Sequence, residues 1–251
     1  DLRMSRGLGD VYKRQAQLLV DVFRSQSIAV LGNVLIAMGL AALIAFGYQY
    51  KTGEPLMNAD QIAYQLHSID PFAGTLWFAA IAGVWLFCSG IISGYFDNRS
   101  NYLNMRMRLA QHPLLKKLMS EKTRVKFANY MHENYGSLIG NLCFGMLLGI
   151  TGVVGYLTHL PLDIRHVAFS SANVGYIAVS GQFTYSLLLQ CIGFVLLIGL
   201  VNLIVSFSLT LWVALRSLNA EIDSWWPIWH EVCQIVKKRP LRLFFPVQLD
   251  K

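Results

Sequence analysis

Charge is what this chain lacks. Asp, Glu, Lys and Arg make up 14% of its 251 residues, against roughly a quarter in soluble globular domains, and residues 167–215 contain none. Few charges and 55% hydrophobic residues exclude an ordinary soluble enzyme, whose surface needs charged cover. Cysteine is also sparse: Cys88, Cys143 and Cys191 lie inside apolar runs and Cys233 stands apart, which excludes a disulfide framework and a CxxC metal site. None of the six histidines falls in an HExxH or Cys/His pattern, and no GxxxxGK[ST], GxSxG or GxGxxG sequence occurs. We therefore expect no catalytic residues, no cofactor and no metal.

What is present is length without charge. A bilayer core of roughly 30 Å is crossed by about 20 helical residues, and only helices and closed barrels satisfy their backbone there. Uncharged stretches of that length run over 27–48, 72–96 and 137–157, and 185–215 closes the long charge-free run. The expected fold is all-α: a polytopic integral membrane bundle of four transmembrane helices. No Asp, Glu, Lys or Arg lies inside these spans, which argues against a proton-coupled or ion-pumping carrier. The stretch from Asp163 to Thr184 carries Ser170, Ser171, Asn173, Ser180, Gln182 and Thr184, too polar to face lipid, and is expected as a re-entrant or interfacial helix near Asp163 to Ser180.

Basic residues orient the bundle, because Lys and Arg are held on the cytoplasmic side of span ends. Segment 97–135 holds Arg99, Arg106, Arg108, Lys116, Lys117, Lys122, Arg124 and Lys126, and tail 216–251 holds Arg216, Lys237, Lys238, Arg239, Arg242 and Lys251. Residues 1–15 differ abruptly in character, resemble translated sequencing-adapter read-through, and are set apart, leaving 16–251 as one helical unit that continues a missing upstream portion. Without them, fifteen of seventeen basic residues lie inside if both ends are cytoplasmic in a bacterial inner membrane. Segment 97–135 is expected as two amphipathic helices broken at His112 and Pro113. Its basic residues, with Lys237, Lys238 and Arg239, are expected against anionic lipid headgroups. Trp225, Trp226 and Trp229 should lie at headgroup level along the inner surface.

Small and polar residues recur at helical spacing. Gly90 and Gly94, Gly136 and Gly140, and Gly145, Gly149 and Gly152 mark faces for close helix packing or for a glycine-lined conduit. Asn33, Asn141 and Asn202 lie within spans, and Asn202, Ser206 and Thr210 form a narrow polar face. With Ser170, Ser171 and Asn173 they make either an interhelical network or the lining of a lumen. A protein partner or a second copy fits the packing faces; nucleic acid does not fit basic residues so close to membrane anchors.

The words GNLCFG, with Asn141, and LPLDIRHVAFSSAN, with Asp163, Arg165, His166, Ser170, Ser171 and Asn173, stand inside residues 132–175. This stretch resembles the carboxy-terminal part of a bacterial family of large multi-spanning proteins catalogued as site-specific recombinases. The resemblance implies a multi-spanning fold over residues 16–251 and, by its name, DNA strand exchange. Such exchange needs basic groups gathered round a phosphate with a tyrosine or serine nucleophile. Arg165, His166 and Ser170 offer such groups, but the expected topology places them on the outer side, so no catalytic residues are carried over.

Overall fold

Helix termini are set by short polar signals. Asn58 and Gln61 cap the same turn reciprocally, Gln61 N donating to Asn58 Oδ1 at 2.9 Å and Asn58 N to Gln61 Oε1 at 3.0 Å, and this opens α2, Ala59–Ile69. Asp70 accepts from Phe72 N across a proline-led turn, and Gly74, at φ 80°, turns the chain into α3, Thr75–Tyr102. The Ser120 hydroxyl accepts from Thr123 N to start α6, Glu121–Thr158, which stops where His159 adopts the left-handed conformation.

The computed structural model describes residues 2–181, 184–217, 226–238 and 240, with side chains from residue 12 onward. Among these residues the chain is helical, with no strand. Four helices are long and apolar enough to cross a membrane: α1 (Leu2–Thr52), taken from Tyr12, then α3, α6, and α8 (Tyr185–Ser217). Shorter helices are α4 (Met105–Gln111), α5 (Pro113–Leu118), α7 (Val167–Ala178) and α9 (Trp226–Lys238). Helix α7, at twelve residues, is about 18 Å long and too short to cross.

The chain divides into two compact units. The first takes residues 1–69, 167–199 and 212–251; in it α1 packs against α7 and α9, and α2 against α7. Here Gly175 lets α7 lie directly on α1, since a Cβ there would overlap Met38 O and come within 3.0 Å of Ala41 Cβ. The second takes residues 70–166 and 200–211 and is built on α3 lying along α6. Gly136 and Gly140 make that seam: a Cβ at Gly136 would overlap Asp97 Oδ1 and Ser93 O, and one at Gly140 would lie 2.9 Å from Ser93 Cβ. The Gly136 N–H donates to Asp97 Oδ1 at 2.9 Å, and Trp85 Nε1 donates to Thr151 Oγ1 at 2.9 Å further along.

Segment 97–135 breaks at His112, where Gln111 ends α4 and Pro113 opens α5. Its flanks are continuations of the long helices, because α3 runs on to Tyr102 and α6 begins at Glu121. Apolarity ends at the edge of lipid, but backbone hydrogen bonding has no reason to end with it.

Candidate functional site

The polar words of the sequence converge on residues 160–178. After His159 the chain is non-helical to His166, with a tight turn in which Leu162 N donates to Leu160 O at 2.7 Å, and runs back beside α6. Leu162 lies against Gly155, where a Cβ would overlap the Leu162 carbonyl, while the His166 ring stacks edge-on against Phe144 at 5.0 Å. Phe144 and Gly155 are eleven residues apart on α6, so this leg retreats about 16 Å along the helix it has just left.

Helix α7 belongs to the first unit. Val167 lies beside Val30 of α1, both within 3.0 Å of where a Gly199 Cβ would stand. Eight residues later Gly175 lies against Met38 and Ala41, and Asn173 Nδ2 donates to Gln65 Oε1 of α2 at 2.7 Å. The helix therefore climbs alongside α1 toward the end from which α2 departs. Each leg thus packs within its own unit, residues 160–166 along α6 and α7 along α1.

The electrostatics of the inward leg are local. The Arg165 guanidinium pairs with Asp163 at 2.6 Å, donates to Ile164 O at 3.1 Å, and sits over the Phe78 ring 5.7 Å from its centroid. Asp163 Oδ1 accepts from Ile164 N, so this carboxylate serves a backbone donor as well as a cation. Asn202 of α8, 2% exposed, donates through Nδ2 to Ala79 O at 2.7 Å and to Arg165 O at 3.1 Å. One amide thus fastens the inward leg to α3 and α8. Burial lowers the pKa of His166 from 6.5 to about 4, leaving it neutral.

The remaining expected residues are dispersed. Ser170 and Ser171 are buried on α7, with Ser171 Oγ donating to Val167 O at 2.6 Å; Ser206 is half-buried, and its carbonyl accepts from the exposed Thr210. Asn33 and Asn141 are exposed. No atom lies within 4 Å of a Cβ built at Gly90, Gly94, Gly145, Gly149 or Gly152, so these glycines face open space within the chain. Arg106, Arg108, Lys116, Lys117, Lys122, Lys126, Lys237 and Lys238 are exposed, whereas Arg124 is half-buried and donates to Ala110 O at 2.6 Å. Trp226 and Trp229 are exposed on α9; Gln182, Trp225, Arg239, Arg242 and Lys251 lie outside the described residues.

Sequence reasoning passed over several contacts. Gly83 packs under Val205 and Asn202 O, at 2.8 and 3.0 Å from a built Cβ. Ser100 Oγ lies 3.0 Å from His132 Nδ1. Asp97 was legible only as the charge that ends a span; its role as a receptor for the Gly136 amide depends on register between helices, which spacing along one helix does not carry.

Four helices long and apolar enough to cross a membrane, with no strand among the described residues, define an all-helical polytopic class. The chain belongs to the family described as site-specific recombinase, whose match covers residues 5–246 and begins inside the stretch 1–15 set apart on composition. No curated protein and no solved structure matches it.

Proposed function

We propose that this chain is a non-enzymatic, partner-binding scaffold of the bacterial inner membrane, threaded four times with both ends cytoplasmic. The observation that carries this reading is the closure of the inward segment on itself. Arg165 is taken up by Asp163 and Phe78, and the Asn202 amide by two backbone carbonyls. A conduit would turn such groups toward a lumen, where they would replace solvent around a solute. Strand exchange, which the family's description names, would need them open to a phosphate; the Arg165 side chain is 16% exposed and Ser171 0%.

The topology rests on the segregation of basic residues, and the exposed Lys237 and Lys238 of α9 suit anionic headgroups at the inner surface. Reporter enzymes fused after Lys122 and after Asp250 should register as interior, and the protein should resist extraction by alkaline carbonate. An exterior signal at either site, or release by carbonate, overturns the membrane reading. Solute flux from vesicles holding the purified protein, abolished by Asn202→Leu, overturns the scaffold in favour of a conduit; strand exchange on duplex DNA overturns it in favour of recombination.

A further inference from the structure

The strongest unassigned feature is the corner made by α4, α5 and the start of α6. Between residues 98 and 126 eight basic residues face one acid, Glu121, and the described ion pairs of the chain, Arg24–Asp21 and Arg165–Asp163, lie elsewhere. Large apolar side chains stand exposed among them: Met107 at 61%, Leu114 at 61% and Leu118 at 77%. Leu114 and Leu118 are four residues apart on α5 and share a face with Lys117.

This corner stands off from the apolar part of the bundle. Helix α6 has 38 residues, about 57 Å, and so exceeds a bilayer core by about 27 Å. Its surplus is the charged amino-terminal half, along which α4 is strapped. Ser100 touches both Met105 and His132 at the near end, and Arg124 Nε holds Ala110 O at the far end. Arg124 precedes Ser137, where the uncharged span begins, by thirteen residues, about 20 Å along the helix. Headgroups extend only about 5–8 Å beyond the hydrocarbon. A polyanion without apolar groups, such as duplex DNA, would have no use for the exposed leucines.

We propose that the α4–α5 corner is the partner-docking surface of this scaffold and takes an acidic amphipathic helix of another protein, with Leu114 and Leu118 seated on its apolar face and Lys116, Lys117 and Arg106 against its carboxylates. The proposal rests on the scaffold reading above and names the chemistry of the partner.

The test uses the full chain in phosphatidylcholine/phosphatidylglycerol nanodiscs and a fluorescent 20-residue helical peptide with Glu on one face and Leu on the other. Anisotropy should show saturable binding. Lys116→Gln/Lys117→Gln should weaken it about tenfold, and Leu114→Ser/Leu118→Ser and a scrambled peptide of the same composition should each weaken it comparably. All four substituted positions are exposed, and circular dichroism checks that the variants stay folded. No binding, equal binding of the scrambled peptide, or tighter binding of a 30-base-pair duplex overturns the proposal. Failure of the chain to enter nanodiscs would instead strike the membrane reading itself.

Discussion

Replacing Asn202 by Leu keeps the bulk of the side chain and removes both donors that fasten the inward leg. The amide nitrogen reaches Ala79 O at 2.7 Å and Arg165 O at 3.1 Å. Ala79 O belongs to a helix and keeps its own ladder bond, so the loss falls chiefly on the attachment of residues 160–166. Side-chain hydrogen bonds between membrane helices average about 0.6 kcal/mol and reach about 1.7 kcal/mol, which gives about 1–3 kcal/mol for the pair. Global stability, followed by circular dichroism during reversible detergent unfolding, should fall by that amount. A local readout separates detachment of the leg from general weakening. Trypsin cleaves after Arg165 only when the leg is released, and at about 1.4 kcal/mol per tenfold the same energy predicts cleavage about 5 to 140 times faster. Wild-type stability together with wild-type cleavage in Asn202→Leu would refute the claim that this amide holds the segment.

Two further outcomes follow from packing and protonation. Gly136→Leu should cost at least about 1–3 kcal/mol, because its side chain must displace Asp97 and the Ser93 carbonyl, whereas Gly149→Leu, built into open space, should stay within about 0.5 kcal/mol; equal effects in the same unfolding assay would refute the assigned seam. His166 is neutral when folded and has a pKa near 4, so between pH 6.5 and 4 the unfolded chain binds a proton that the folded chain refuses. Stability should therefore fall as pH drops through that window, by up to about 3 kcal/mol at about 1.4 kcal/mol per pH unit. His166→Leu should remove that part of the slope, and identical slopes in the two proteins would show that the ring is not excluded from protons.

Hydropathy marked the apolar cores of all four long helices, because lipid-length runs without charge have few other uses. It marked their ends poorly: Asp97–Tyr102 and Glu121–Tyr135 are as helical as the spans they extend, and charge says nothing against helix. The polarity of Ser170, Ser171 and Asn173 separated α7 from a crossing helix, yet left re-entrant and interfacial placements open. The pairing of Leu162 with Gly155 and of His166 with Phe144 shows residues 160–166 running back along α6, which polarity along the chain does not carry. Glycine spacing showed that α6 has small-residue faces, and Gly136 and Gly140 meet α3. The close approaches at Gly83, Gly175 and Gly199 depend on which helix arrives opposite, and no period along the chain carries that information.

The inward leg also constrains how the protein is made. Its amides and carbonyls find Phe78 O on a helix already synthesised and Asn202 on one that is not, since Arg165 leaves the ribosome 37 residues ahead of its partner. Until α8 arrives, the leg lacks the amide that fastens it, so its packing waits on a later part of the chain. Synthesis of the last long helix is therefore the step that completes this fold, and a nascent chain stalled before residue 202 should still expose Arg165 to trypsin.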